Sequence, residues 1–220
     1  MSKARLEAVL WDMDGVIADT ADYHYNAWRE VLEERGVSFS KADFMKLFGQ
    51  RHDTIIRFAF GQKISLDKLE KITEKKQALY RKNVVKNIRP MPGAIELIRS
   101  LNQNGVKTAI ASSAVRANID VILRGLGIEN EFQAIVHGTE VAEGKPSPLI
   151  FQLAAQKLDV KPGDCVVIED AIAGVAAAKR AGMKCLAVTN SHPGKSLKKA
   201  DLIVDSLEKI DVNILKGLFK

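Results

Sequence analysis

The chain has 220 residues, of which 46% are hydrophobic and 27% charged, with a formal net charge of +6. That length fills one core, or one core with a small appended domain, and the balance excludes a disordered chain. Lysines and arginines are interleaved with acids, so the positive excess reads as a solvated surface that suits anionic small molecules. It does not form the clustered basic stripe with interleaved aromatics that nucleic-acid binding asks for, and Lys195-Ser196-Leu197-Lys198-Lys199 is a short solvated run.

The N-terminus lacks a cationic stretch followed by a long apolar core, and no segment approaches the roughly 20 apolar residues of a membrane span. A cytoplasmic location with no membrane partner is expected. Cys165 and Cys185 each sit beside a short apolar run and show no metal-ligand spacing, so both read as buried thiols in strands.

In chain order, Ala8-Val9-Leu10-Trp11 reads as a buried strand that ends on Asp12. From about Thr20 to Val85 the texture is helical and charged. Ala27, Val31 and Leu32 share a face before a stop at Gly36; Phe44, Leu47 and Phe48 make a second face; Leu66, Leu69, Ile72, Thr73 and Lys76 mark a third helix. After Arg89-Pro90-Met91-Pro92-Gly93 helices and strands alternate: helix 94–102, strand 108–111, helix 116–126, strand 134–136, helix 148–158, strand 166–168, helix 172–181, and strands 185–188 and 202–204. Apolar strands alternating with helices imply an α/β fold, a parallel sheet covered on both faces.

Ligands of such sheets bind at the carboxyl ends of the strands, and the unusual chemistry gathers there. Asp12 and Asp14 of Asp12-Met13-Asp14-Gly15 end the first strand, Ser112 ends the next, and Glu169-Asp170 ends a third. Lys145, held in Gly144-Lys145-Pro146, lies on a loop before a helix. Close carboxylates need a cation between them, and hard oxygen donors without His or Cys suit Mg2+. Ser112 and nearby backbone N–H groups suit a phosphoryl oxygen, and Lys145 suits both the phosphate and a carboxylate nucleophile.

The ordered set Asp-x-Asp-Gly, strand-Ser, Gly-Lys-Pro and Glu-Asp followed by Gly174 resembles the four motifs of the haloacid dehalogenase superfamily, across essentially the whole chain. The resemblance implies a Rossmann-like core (1–19 and 86–220) with an inserted α-helical cap (20–85). It implies that Asp12 attacks phosphorus to form an aspartyl-phosphate and that Asp14 is the general acid and base. Ser112 and Lys145 would hold the phosphoryl group. Mg2+ would be held by Asp12, Asp170, the backbone carbonyl of Asp14 and Glu169, partly through water. The acid at Asp14 argues against the dehalogenase and phosphonatase branches.

Two branches remain. The stretch Asp12 to Trp28, with Val16 where phosphatases commonly carry Thr, is similar to the β-phosphoglucomutase hinge and first cap helix. Phe48 in Phe48-Gly49-Gln50-Arg51-His52-Asp53, where mutases are expected to carry Lys, points to a phosphatase, as does the departure at Ser113-Ala114. The expected function is a Mg2+-dependent phosphatase acting on small phosphomonoesters, with the mutase as the alternative. A non-catalytic binding protein would need one of the core groups lost, and none is. The expected substrate-binding set is His24, Trp28, Gly49, Arg51, His52, Ser113 and Arg116. The expected partner is a small phosphorylated metabolite, and the expected state a monomer or weak homodimer.

Overall fold

The computed structural model describes residues 4–220. Its centre is a six-stranded, wholly parallel sheet in the order β3-β2-β1-β4-β5-β6. The strands are β1 (Ala8–Trp11), β2 (Lys107–Ser112), β3 (Ala134–His137), β4 (Cys165–Glu169), β5 (Lys184–Val188) and β6 (Leu202–Val204). Strand alternation splits β1 between two cores: Val9 and Trp11 enter one with Ile110 and Ile168, while Ala8 and Leu10 enter the other with Ala109 and Val167. Both faces are covered, which is why the central strands are apolar throughout. Cys165 and Cys185 are free and buried on the second face.

Between β1 and β2 the chain runs through α1 (Ala21–Glu33), α2 (Lys41–Leu47), α3 (His52–Phe60), α4 (Leu66–Val84) and α5 (Ala94–Gln103). The first four enclose an apolar cluster of their own, built on Trp28, Val31, Leu32, Phe44, Ile56 and Ile72. Ala27, Tyr80 and Val84 turn instead into the main core and seat the bundle on it. Ser40 and Ser65 cap α2 and α4 by accepting from the Asp43 and Lys68 N–H groups. The first face of the sheet is covered by α5, α6 (Arg116–Leu126) and α9 (Val212–Gly217), the second by α7 (Leu149–Lys157) and α8 (Ile172–Arg180).

Three elements differ from the sequence reading. α3 was not expected: its first turn, His52-Asp53-Thr54-Ile55, is poor in strong helix formers, and the helix rests on burial of Ile55 and Ile56. α4 runs on to Val84, well past Lys76. The six-residue α9 buries only Val212 and Leu215, too few positions to show a period.

Candidate active site

Register builds the floor of the site. Trp11 pairs with Ile110 on one side and Ile168 on the other. One residue further, the Asp12 N–H donates to the Ile168 carbonyl (3.0 Å), so Asp12 lies between the end of β2, at Ser112, and the end of β4, at Glu169. Lys145 bridges from its loop: Nζ donates to Asp12 Oδ1 (2.5 Å) and to Glu169 Oε1 (2.7 Å), with its side chain only 3% exposed. The other Glu169 oxygen accepts from the N–H groups of Asp170 and Ala171, both at 2.8 Å. Asp170 accepts from the Ser191 hydroxyl. Ser112 Oγ accepts from the Ala114 N–H (3.1 Å), which holds the β2–α6 loop over the floor.

Two glycines make this crowding possible. A Cβ on Gly174 would stand 1.7 Å from Glu169 Oε1, and one on Gly15 would stand 2.1 Å from Asp170 Oδ2. Gly15 also has φ +81°, which side chains rarely adopt.

Burial pushes the Asp12 carboxyl up to about 7 against the pull of Lys145, with Glu169 adding to the rise. Burial, then Glu169 and Asp12, hold Asp170 well above the usual carboxylate range. Lys145 is raised: burial opposes its charge, but Asp12 and Glu169 together outweigh it. One oxygen from each of Asp12, Glu169 and Asp170 lies within 4.8 Å of the others, all buried. Three crowded, buried acids with no His or Cys among them form a donor set that fits a hard divalent cation such as Mg2+.

The Asp14 carboxylate is not part of that cluster. It accepts from the Thr20 hydroxyl (2.6 Å), and His24 Nε2 lies 3.2 Å away. On the other side of the ring, Lys76 Nζ is 2.7 Å from His24 Nδ1, and the Tyr80 ring stacks on His24 at 4.0 Å. Lys76 as donor fixes Nδ1 as the acceptor, so His24 carries its proton on Nε2 and offers it to Asp14. Burial alone would raise the Asp14 carboxyl, but His24, Thr20 and Lys76 together hold it below its usual value. Burial and Lys76 lower His24, against the opposing pull of Asp14. Burial brings Lys76 down to about 7. Lys76, His24 and Asp14 therefore form one hydrogen-bonded line in which a proton is held more tightly at Lys76 than at Asp14.

The depth of Lys76 leaves a signature in stability. Its pKa in the folded protein is lower than in the unfolded chain, which therefore binds more protons between about pH 7 and 10, so this group makes stability rise with pH across that window. The Tm difference, wild type minus Lys76→Met, is expected to grow steadily from pH 7 to pH 9.5. Parallel curves would show that Lys76 is not held depressed in a buried site.

A pocket opens above Asp14, and the structure brings His24, Trp28, Gly49, His52 and Ser113 to its wall, together with Phe44, Phe48 and Gln50. Two residues of the expected set lie elsewhere. Arg51 lays its stem against Gly144 and reaches toward the Val141 carbonyl (3.5 Å) and Asp53 (3.4 Å). Arg116 pairs with Asp120 (2.8 Å) at the exposed start of α6.

The sequence placed Lys76 on a helix without a role in the site, and gave none to Gln77 and Asn118. Asn118 of α6 accepts from Arg81 (3.2 Å) and donates to Gln77 Oε1 (2.7 Å); Gln77 Nε2 stands 3.1 Å from His52 Nε2. This chain ties the helical bundle to the core. A Lys and a Gln on the apolar face of α4 were the available signal. A separate wide depression, lined by Arg5, Glu7, Asp159, Lys161 and Asp164, lies at the opposite end of the strands and gathers none of these groups.

The profile of haloacid dehalogenase-like hydrolases matches residues 6–182. The chain belongs to the haloacid dehalogenase-like hydrolases. Its relatives include a β-phosphoglucomutase of Bacillus subtilis, 36% identical over 96% of this chain and 94% of that protein. They also include a phosphorylated carbohydrates phosphatase of Thermotoga maritima, 32% identical over 96% and 99%. Among solved structures, a β-phosphoglucomutase of Clostridium difficile superposes with a TM-score of 0.88 at 29% identity, covering 97% of each chain. As a haloacid dehalogenase-like hydrolase with phosphatases and a phosphoglucomutase as relatives, the protein is a phosphohydrolase-type enzyme. Among the described residues no helix is long and apolar enough to cross a membrane.

Proposed function

We propose that this enzyme is a Mg2+-dependent phosphatase of small sugar phosphomonoesters, working through an aspartyl-phosphate on Asp12, with residues 20–85 as a cap over a core of residues 1–19 and 86–220. The observation that carries the reading is the pairing of two unlike carboxylates. Asp12 is set between Lys145 and the acid cluster, and Asp14 is turned away into the Thr20–His24–Lys76 chain.

Asp12 and Asp170 would hold Mg2+ directly, with the Asp14 backbone carbonyl. Glu169, whose oxygens already accept from Lys145 and two N–H groups, would act through water. When bound, the ion shields the substrate phosphate from the carboxylates and orients it. An Asp12 oxygen attacks phosphorus as the ester P–O bond breaks, and Asp14 gives the departing alkoxide its proton. Ser112 and Lys145 hold the phosphoryl oxygens. Asp14, now an anion, takes a proton from the incoming water, whose oxygen attacks the same phosphorus; inorganic phosphate leaves and the Asp12 carboxylate is restored. The low proton affinity of Asp14 makes it a strong acid toward the departing alkoxide, and the proton it takes from water is the one it gives in the next acid step.

A second reading, phosphoryl transfer between positions of a hexose, is favoured by the likeness to the Bacillus subtilis β-phosphoglucomutase. Product analysis with β-glucose 1-phosphate and a trace of the bisphosphate separates the two. The phosphatase reading predicts free phosphate as the main product in Mg2+ and none in EDTA. Glucose 6-phosphate formed much faster than free phosphate would establish the mutase instead, and full activity in EDTA would contradict the metal site.

A further inference from the structure

The wall of the pocket above Asp14 is aromatic and uncharged. Trp28 and His52 stand at 5.7 Å between ring centroids, and Phe44 and Phe48 at 5.2 Å. Its polar groups are His24, Gln50, His52 and Ser113, and among the described residues the one carboxylate that lines it is Asp14. Each cation in the neighbourhood is engaged elsewhere. Lys76 is fully buried behind His24 and is not part of the wall. Arg51 is pinned across Gly144 toward the Val141 carbonyl, and Arg116 is paired with Asp120 outside the pocket. Lys145 lies outside the wall, on the floor with Asp12 and Glu169, where it serves the transferred phosphoryl group.

His52 does not supply a charge either. The Gln77 amide nitrogen lies 3.1 Å and 3.3 Å from its two ring nitrogens, and the Gln77 oxygen is taken by Asn118. A donor amide facing both nitrogens is accommodated by a neutral ring with a free lone pair and opposed by an imidazolium, whose nitrogens both carry protons. Burial and the nearby Lys76 act in the same direction, lowering His52 well below its ordinary value.

We infer that the pocket selects substrates carrying a single phosphate and an otherwise uncharged body, and rejects esters that bear a second phosphate or carboxylate at the far end. A second phosphate dianion there would be desolvated against aromatic rings with no cation among the lining residues to pair it, which costs far more than the neutral hydroxyls of a sugar. Hydroxyls, by contrast, find Gln50, His52 and Ser113 in the wall as hydrogen-bonding groups. The inference rests on the phosphatase reading and deepens it by fixing the charge of the substrate.

The test takes monophosphates that the wild-type enzyme hydrolyses and compares each with its counterpart phosphorylated once more at the distal end, such as fructose 1-phosphate with fructose 1,6-bisphosphate. The expected kcat/KM is lower for the bisphosphate by at least about 30-fold, as expected for an unpaired buried charge. Adding a cation to the wall, by Phe48→Lys and separately by Gln50→Lys in case the buried Phe48 site does not tolerate the change, is expected to narrow the gap by about tenfold or more through KM. Equal or higher kcat/KM for the bisphosphates would overturn the inference and leave the phosphatase reading standing. An unchanged gap in a folded Gln50→Lys protein would also count against it. Failure to release phosphate from any ester would overturn the phosphatase reading itself, and this inference with it.

Discussion

Asp12→Asn is expected to lower kcat by at least about 10⁴-fold while leaving the protein folded, because an amide has no anionic oxygen to form the acyl-phosphate. The substitution is nearly isosteric, and the new carbonyl still accepts from Lys145, which keeps Glu169 as a second partner. Removing one of three crowded buried acids also relieves repulsion, so Tm measured in EDTA should match or exceed that of the wild type. Steady-state rates and thermal melts on the same preparation check both halves. A loss of activity that came with unfolding would leave the role of Asp12 undecided between chemistry and structure; retained turnover would exclude it as nucleophile.

Lys145→Met has the second large effect, and here stability falls with activity. The ammonium is buried and holds two carboxylates at once. Its removal leaves them facing each other, a situation that costs about 3–5 kcal/mol when one partner of a buried pair is lost. The pH dependence has a definite sign. Asp12 already has a folded-state affinity for protons raised to about 7, and its contribution to stability is complete below its unfolded pKa and lost as pH rises through the folded one. Without Lys145 the rise is steeper, so the Tm deficit of the variant in EDTA should be larger at pH 8 than at pH 5, and Mg2+ should recover part of it at pH 8. Turnover should fall by about 10³-fold even with Mg2+, since the phosphoryl group loses its cation. A melting temperature near that of the wild type at pH 8 in EDTA would show that the ion pair does not carry the floor of the site.

Much of the fold was legible because its signals are local and strong. Apolar runs such as Ala8–Trp11 and Val166–Ile168, each ending in acids, announce buried parallel strands whose carboxyl ends carry chemistry. Parallel register then does the long-range work, bringing Asp12, Ser112 and Glu169 side by side from positions far apart in sequence. The pocket wall was harder to read because its assignment depends on where helices of the bundle cross. Arg51 and His52 are neighbours in sequence, yet one lies on the core loop at Gly144 and the other faces the pocket. Lys76 read as one residue of a helical face. Its meaning comes from His24, which the packing of α1 against α4 brings within 2.7 Å. Its place beside Gln77 on the apolar face of α4 marks it as unusual without saying what it meets. Gln77 and Asn118 are likewise ordinary amides until α4 and α6 meet.

The most direct measurement is chemical trapping of the phosphorylated enzyme. Asp14→Asn with a substrate of good leaving group, such as p-nitrophenyl phosphate, should form the acyl-phosphate without needing an acid and then hydrolyse it slowly for want of a base. Quenching in acid, reducing with borohydride and mapping by mass spectrometry should find homoserine in place of Asp12 and at no other carboxylate. Stoichiometric release of p-nitrophenol with Asp12 unmodified, or with the label on another residue, would contradict nucleophilic attack by Asp12.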